Sequence, residues 1–137
     1  MAVTESAMAK EGLGKMEKLK ALLHINDPGK WRTVVANAKN LLEDVGAEQL
    51  ELEIVVNATA VNIFDATDQE GNQVMRRLFL EAIRDLAQQD VKIVACRNSL
   101  KANAVHEDGV PDFVNIVPVA ITRLVVRQTE GYAYVKP

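Results

Sequence analysis

Hydrophobic and polar positions along the chain alternate between two patterns. Mostly apolar runs of about six to eight residues, rich in Val, Ile and Leu, predict strands; the first is expected to be buried on both faces, whereas the second starts by alternating leucine with Glu51 and Glu53. The runs occur at residues 18–25, 50–57, 91–96 and 113–119, with a shorter run at 132–135. Between the runs, apolar residues recur at three- and four-residue steps, which is the spacing of one stripe of an amphipathic helix.

The predicted helices carry recognisable start and stop signals. Asp27 is suited to cap the first helix, Pro28 fits its first turn, and Gly46 ends it after an apolar stripe from Trp31 to Val45. Further helices are predicted over about 73–89, 99–106 and 120–131, with a short helical turn at 61–64.

The alternation of strands and helices predicts an α/β fold with a mostly parallel five-stranded sheet, covered by helices on both faces. Residues 1–14 lack a sustained pattern and are interpreted as a flexible leader. Residues 15–137 then form a single domain, a size that one hydrophobic core can support.

Composition excludes several classes of function. The 137 residues are 48% hydrophobic, carry a net charge of −3 and contain no long basic run, which argues against nucleic acid as a partner. A single cysteine cannot form an intrachain disulfide, and one cysteine with two distant histidines does not predict a metal site. No stretch is apolar enough for a signal peptide or a membrane span, so we expect a cytoplasmic protein with no membrane partner and no cofactor.

The only cysteine, Cys96, ends the third predicted strand. In a parallel sheet, ligands bind beyond the carboxyl ends of the strands. The helix start that follows, together with Arg97, favours a thiolate, and Asn98 or Ser99 could cap the helix and donate a hydrogen bond to the sulfur. Cys96 is therefore a candidate nucleophile or sulfur carrier, and the alternative is that it packs as a small apolar residue.

Polar residues end the first two strands at the same edge of the sheet. His24, Asn26 and Asn57 are candidate binding residues there, and His24 either assists Cys96 or is satisfied locally. The motifs GxGxxG, GxxxxGK[ST] and GxSxG are absent, which disfavours a dinucleotide site, a phosphate loop and a nucleophile elbow. The acidic loop residues Asp65, Asp68 and Glu70 lack metal-ligand spacing.

Four stretches in order resemble the DsrE/DsrF-like family, which includes the YchN-type proteins. They are LLHINDPGKW, LEIVVNATAV, VKIVACRNSLKA and VNIVPVAITRLVVRQTEGYAYVKP, and they span nearly everything after about residue 17. The family usually has Asn-Gly where this chain has Asn57-Ala58. Because glycine would allow a left-handed backbone or a close approach to a ligand, alanine is expected to narrow or alter the pocket.

The resemblance implies a three-layer α/β/α sandwich of the DsrEFH-like type and a homo-oligomer, commonly a trimer or a hexamer. It also implies sulfur relay, with Cys96 as the residue that carries sulfur as a persulfide. The chain would act as a sulfurtransferase or a sulfur carrier, with sulfur donor and acceptor proteins as partners. The last helix and tail are expected to form the subunit contact, through Gln128, Tyr132 and Tyr134.

Two other functions remain open at this point. The first is a non-catalytic module that binds a small ligand at a rim lined by Asn26, Asn57 and Asn98, with Cys96 only as part of the wall. The second is a purely structural oligomer. An enclosed, inert sulfur would favour either of these, whereas a reachable and reactive sulfur would favour the relay.

Overall fold

A computed structural model describes residues 18–67 and 73–137 of the chain. The predicted leader at 1–14, and Asp68 and Glu70 of the acidic loop, lie outside the described residues. Five strands are β1 (Leu19–Ile25), β2 (Leu50–Val56), β3 (Lys92–Cys96), β4 (Val114–Val117) and β5 (Ala133–Val135). The four α-helices within the described residues are α1 (Trp31–Val45), α2 (Gln73–Gln88), α3 (Arg97–Ala102) and α4 (Ala120–Thr129).

The strands form one parallel sheet in the order β4-β3-β2-β1-β5. This confirms the predicted fold class, including the number of strands and the helices on both faces of the sheet. Pairing runs in register across the centre of the sheet, where Ile25 lies beside Val56 and Val56 beside Ala95. The carboxyl ends of β1, β2 and β3 therefore meet at one rim.

The two faces of the sheet are covered unequally. Helices α1 and α2 and the 3-10 helix Ala58–Phe64 bury the larger core, which includes Leu23, Ile54 and Ile93. Helix α4 buries a smaller core on the other face, which consists of Leu22, Val55, Val94, Cys96, Ala120, Leu124 and Tyr132. No helix among the described residues is both long enough and apolar enough to cross a membrane.

Helix α3 differs from its predicted range, because it begins two residues earlier and ends four residues earlier. Its end is a Schellman arrangement, in which the Val105 N–H donates to the Leu100 carbonyl at 2.9 Å and the Ala104 N–H donates to the Lys101 carbonyl at 3.2 Å. Ala104 has the left-handed backbone that this motif requires, with φ of 54°. Alanine rather than glycine occupies that position, which is why the sequence did not signal the stop.

A buried ion cluster joins α4 to the sheet. Glu53 of β2 is fully buried and accepts two hydrogen bonds of 2.9 Å from Arg123 and one of 3.2 Å from Arg127. The hydrogen bonds to Glu53 raise the pKa of Arg123. Because a buried carboxylate needs such partners, the cluster fixes the position of α4 over the sheet.

Candidate functional site

Cys96 lies at the end of β3 and directly precedes α3, as the N-cap residue of that helix. It is 5% exposed and packs in the smaller core under α4. The N–H of Ala120, the first residue of α4, donates a hydrogen bond of 3.4 Å to the sulfur. The sulfur therefore lies at the amino-terminal ends of two helices, where backbone N–H groups favour an anion.

Opposing effects act on the pKa of the Cys96 thiol. Burial is the largest single effect and raises the pKa, but hydrogen bonds lower it, first from the Ser99 side chain and then from the N–H groups of Ala120, Ser99 and Asn98. The donors together outweigh burial, so the pKa lies below its ordinary value. The site can therefore hold a thiolate in a nearly enclosed position.

Ser99 connects the sulfur to the loop after β2. Its hydroxyl oxygen accepts a hydrogen bond of 2.8 Å from the Ala58 N–H, which leaves the hydroxyl hydrogen for the sulfur. The carboxamide of Asn103 donates to the Ser99 carbonyl at 2.8 Å and to the Ala58 carbonyl at 3.4 Å. These contacts hold the loop and α3 together on the side of Cys96.

Substituting Ser99 by alanine is expected to raise the pKa of the Cys96 thiol, because the strongest of the donors that stabilise the thiolate is lost. The measurement is the rate of alkylation against pH, whose midpoint should move to higher pH. Ser99→Thr retains the hydroxyl and serves as the matched control. An alanine variant with the same midpoint as the unsubstituted protein would show that Ser99 does not act on the sulfur.

Ala58 has the left-handed backbone, with φ of 52°, that glycine would adopt without strain. The left-handed conformation costs an L-residue about 1–2 kcal/mol, and glycine avoids this cost. Glycine also gives the unfolded chain more conformational freedom, which lowers the free energy of unfolding by about 0.4–1 kcal/mol. Ala58→Gly is therefore expected to raise the free energy of unfolding by up to about 1 kcal/mol, measured by urea denaturation. Ala36→Gly, at an exposed position in α1, is the control and should lower the free energy of unfolding by about 0.5–1 kcal/mol. A lower free energy of unfolding in both variants would contradict a strained backbone at Ala58.

Arg97 does not direct its charge to the sulfur. Its guanidinium pairs with Glu107, with distances of 3.1–3.2 Å from Nε and Nη2 to the carboxylate, and both side chains are about two-fifths exposed. The sequence predicted that Arg97 would stabilise the thiolate. In the structure that role belongs to the Ser99 hydroxyl and to backbone N–H groups.

His24 forms hydrogen bonds with two side chains, and neither belongs to Cys96. Its Nδ1 lies 2.6 Å from the Tyr134 hydroxyl and its Nε2 lies 2.8 Å from the Asn57 carboxamide oxygen. His24 is 6% exposed and belongs to β1, whereas Cys96 belongs to β3. Asn57, which directly follows the strand between them, separates the two residues along the rim.

Asn26 and Asn98 complete the rim. Asn26 is partly exposed and Asn98 is exposed, and within the described ranges neither side chain has a protein hydrogen-bond partner. Both carboxamides are therefore available to a ligand. No group of three or more His, Cys, Asp or Glu side chains within residues 18–67 and 73–137 is arranged to hold a metal ion.

Sequence reasoning missed three features of this face of the sheet. Tyr134 was expected at the subunit contact and its hydrogen bond to His24 was not foreseen, and the donor from Ala120 carries no side-chain signal. Glu53 alternates with leucines at the start of its strand, as an exposed position would, but it is fully buried. The available signal for Glu53 was the spacing of Arg123 and Arg127, which lie four residues apart on an otherwise apolar helix.

Comparison with solved structures shows the same fold in other proteins. A protein of unknown function from Methanobacterium thermoautotrophicum superposes with a TM-score of 0.69 and 24% identity, and covers 89% of this chain and 100% of its own. The YchN protein of E. coli superposes with a TM-score of 0.62 and 14% identity over the same shares of the two chains. No curated protein matches the sequence.

The sequence itself assigns the family. The model of the DsrE/DsrF-like family matches residues 5–137, which includes every strand and helix described above. The resemblance drawn from the four sequence stretches is thereby confirmed. This chain belongs to the DsrE/DsrF-like family.

Proposed function

We propose that this protein is a small sulfur-relay protein that carries sulfane sulfur as a persulfide on Cys96. The observation that carries the proposal is the set of donors around the sulfur, which comprises the Ser99 hydroxyl and the N–H groups of Ala120, Ser99 and Asn98. Together they lower the pKa of the thiol and leave a nucleophile at the ligand-binding rim of a parallel sheet. Membership of the DsrE/DsrF-like family supports the same class of function.

The proposed chemistry is a sulfur transfer without net oxidation. The Cys96 thiolate attacks the outer sulfur of a donor persulfide, so that a new S–S bond forms as the S–S bond of the donor breaks. The electron pair leaves with the donor thiolate, which then takes a proton from solvent. In the second step, an acceptor thiolate attacks the outer sulfur and releases the Cys96 thiolate.

The acceptor thiol must come from another molecule, because the sequence contains no second cysteine. The same holds for the sulfur donor. We therefore expect donor and acceptor proteins as partners, and a cytoplasmic setting, where thiols stay reduced, suits the reaction. Within this scheme the chain is a carrier or a sulfurtransferase, according to whether the acceptor is a protein thiol or a small molecule.

A homo-oligomer, either a trimer or a hexamer, is part of the proposal. Helix α4 has an outer apolar surface, on which Ile121 and Val125 are each 56% exposed and Val126 is 46% exposed. An apolar surface of this kind on a small domain is typical of a subunit contact. Tyr132, expected in that contact, is 8% exposed and belongs to the monomer core, whereas Tyr134 is 40% exposed.

Val125→Glu is expected to convert the oligomer to monomers, because a charge would be buried at the apolar contact. Light scattering measures the mass. Ala36→Glu places the same side chain on the exposed face of α1 and should leave the mass unchanged. An unchanged mass for Val125→Glu, or a monomeric unsubstituted protein, would count against this contact.

A second candidate function is a ligand-binding or structural module in which Cys96 only packs. The observation in its favour is the 5% exposure of Cys96, since free cysteine often fills a core position. The carboxamides of Asn26, Asn57 and Asn98 would then bind the ligand. This candidate predicts a thiol that resists alkylation and ligand binding that persists in Cys96→Ser.

The test is to incubate the native protein with a small-molecule persulfide and to record its intact mass. The proposal predicts the addition of one sulfur atom, which a reductant removes and which a thiol acceptor takes up. A native protein that gains no sulfur would contradict the relay. Alkylation of the same sample after unfolding confirms that the thiol was reduced and available.

A further inference from the structure

Three side chains form a hydrogen-bonded row across the rim beside Cys96. The hydroxyl of Tyr134 lies 2.6 Å from Nδ1 of His24, and Nε2 of His24 lies 2.8 Å from the carboxamide oxygen of Asn57. Tyr134 is separated from His24 by 110 positions in sequence, and Asn57 by 33. The sulfur transfer described above does not use this row.

The hydrogen between His24 and Asn57 has one consistent place. A carboxamide oxygen only accepts, so Nε2 of His24 carries the hydrogen and donates it to Asn57. Nδ1 of His24 forms the second hydrogen bond of the row, with the Tyr134 hydroxyl. The carboxamide of Asn57 is thereby held in one orientation, with its oxygen committed to His24.

The register of the sheet brings Asn57 next to Cys96. Val56 pairs with Ala95, and the following residues on the two strands are Asn57 and Cys96. Neighbouring parallel strands lie about 4.8 Å apart. Asn57 keeps an extended backbone, with φ of −141° and ψ of −176°, so the alternation of side chains continues and Asn57 emerges on the same face as Val55 and Cys96.

We propose that Asn57 binds the outer sulfur of the Cys96 persulfide through its carboxamide N–H groups, and that His24 and Tyr134 are positioning residues that orient this amide. The inference rests on the proposed sulfur-carrier function. An S–S bond extends the side chain by about 2.05 Å. The added sulfur then reaches beyond the donors that surround the thiolate and needs a donor of its own at the rim.

The N–H groups of the Asn57 amide suit the outer sulfur of a persulfide, because the sulfur of unloaded Cys96 does not use them. The outer sulfur of a deprotonated persulfide carries the negative charge and accepts hydrogen bonds. Among the described residues, the nitrogen of the Asn57 carboxamide has no hydrogen-bond partner, and no hydrogen bond joins Asn57 to Cys96. The row therefore distinguishes loaded from unloaded Cys96.

The test compares persulfide lifetime with thiol reactivity in the full chain. Asn57→Asp keeps the shape and the acceptor for His24 but replaces the N–H donors by a carboxylate, which repels the anionic sulfur. We expect loss of sulfur from loaded Asn57→Asp to be at least about tenfold faster than from the unsubstituted protein. Because the new carboxylate also faces the resting thiolate, the control reading is the alkylation rate of unloaded Cys96 in the uncharged variant Tyr134→Phe, which should stay near that of the unsubstituted protein.

Tyr134→Phe and two His24 variants test the positioning roles. Tyr134→Phe removes one hydroxyl from a side chain that is 40% exposed, so folding should persist while the persulfide lifetime falls severalfold. His24→Gln retains an N–H donor for Asn57 and should rescue the lifetime lost in His24→Leu. Equal lifetimes in Asn57→Asp, Tyr134→Phe and the unsubstituted protein would overturn the inference.

The two proposals fail in different ways. If the unsubstituted protein does not load sulfur at all, the sulfur-carrier function is wrong. If it loads normally and all variants hold the sulfur equally long, only the role of the row is wrong. Should Asn57→Asp fail to fold, the comparison of Tyr134→Phe with the unsubstituted protein decides the question alone.

Discussion

Cys96→Ser is expected to abolish the transfer of sulfur from a donor persulfide to an acceptor thiol. A serine hydroxyl remains protonated at neutral pH and has no neighbouring general base in this site, so the nucleophile is lost. Serine is close in size to cysteine and can still accept the hydrogen bond from the Ala120 N–H, so the fold should persist. The measurement is the rate of transfer in the presence of protein, relative to donor and acceptor alone.

The control for this prediction is a variant with a neighbouring change and an intact thiol. Ser99→Thr keeps both Cys96 and a hydroxyl at the site and should still accelerate the transfer. The unfolding transition of each variant shows that it is folded. If Cys96→Ser accelerated the transfer as well as the unsubstituted protein, Cys96 would not be the carrier.

Glu53→Ala is expected to lower the free energy of unfolding by about 3–5 kcal/mol, because removing one partner of a buried ion cluster leaves charge without compensation. Glu53 is fully buried, and the side chains of Arg123 and Arg127 are 28% and 15% exposed. Both guanidiniums would lose their shared carboxylate under α4. Urea denaturation followed by circular dichroism measures the change.

Glu107→Ala is the matched control, because it removes a carboxylate from an arginine pair at the surface. Glu107 and Arg97 are 42% and 39% exposed, and such pairs contribute about 0–1 kcal/mol. Similar effects of the two substitutions would contradict the structural role of the buried cluster. Because the cluster holds α4, we also expect Glu53→Ala to weaken the bond from Ala120 and to raise the pKa of the Cys96 thiol.

The fold could be predicted from the sequence because local patterns determine it. Buried parallel strands give continuous apolar runs, and one-sided helices give apolar stripes, so the order of elements follows directly. The end of α1 is also signalled locally, by Gly46, which has a φ of 91°. Ala104 shows the limit, since it also has a positive φ, of 54°, but is not glycine, and the end of α3 was placed too late.

The site could be predicted from the sequence only in part, because its contacts join distant segments of the chain. The position of Cys96 at a strand end follows from topology, but the donor from Ala120 comes from 24 positions later in the chain. The bond between His24 and Tyr134 depends on the pairing of β5 with β1, which no local pattern specifies. Glu53 alternates with apolar residues as a surface position would, and only the packing of α4 explains its burial.

The central claim is that the fold makes Cys96 a nucleophile, and the rate of alkylation of the native thiol against pH tests it most directly. Hydrogen bonds that outweigh burial lower the pKa, so at a pH between the native and ordinary values the native thiol is mostly thiolate and the unfolded thiol is mostly protonated. We predict a single transition with a midpoint below that of the unfolded chain. An inert native thiol, or a midpoint at or above that of the unfolded chain, would make Cys96 a packing residue.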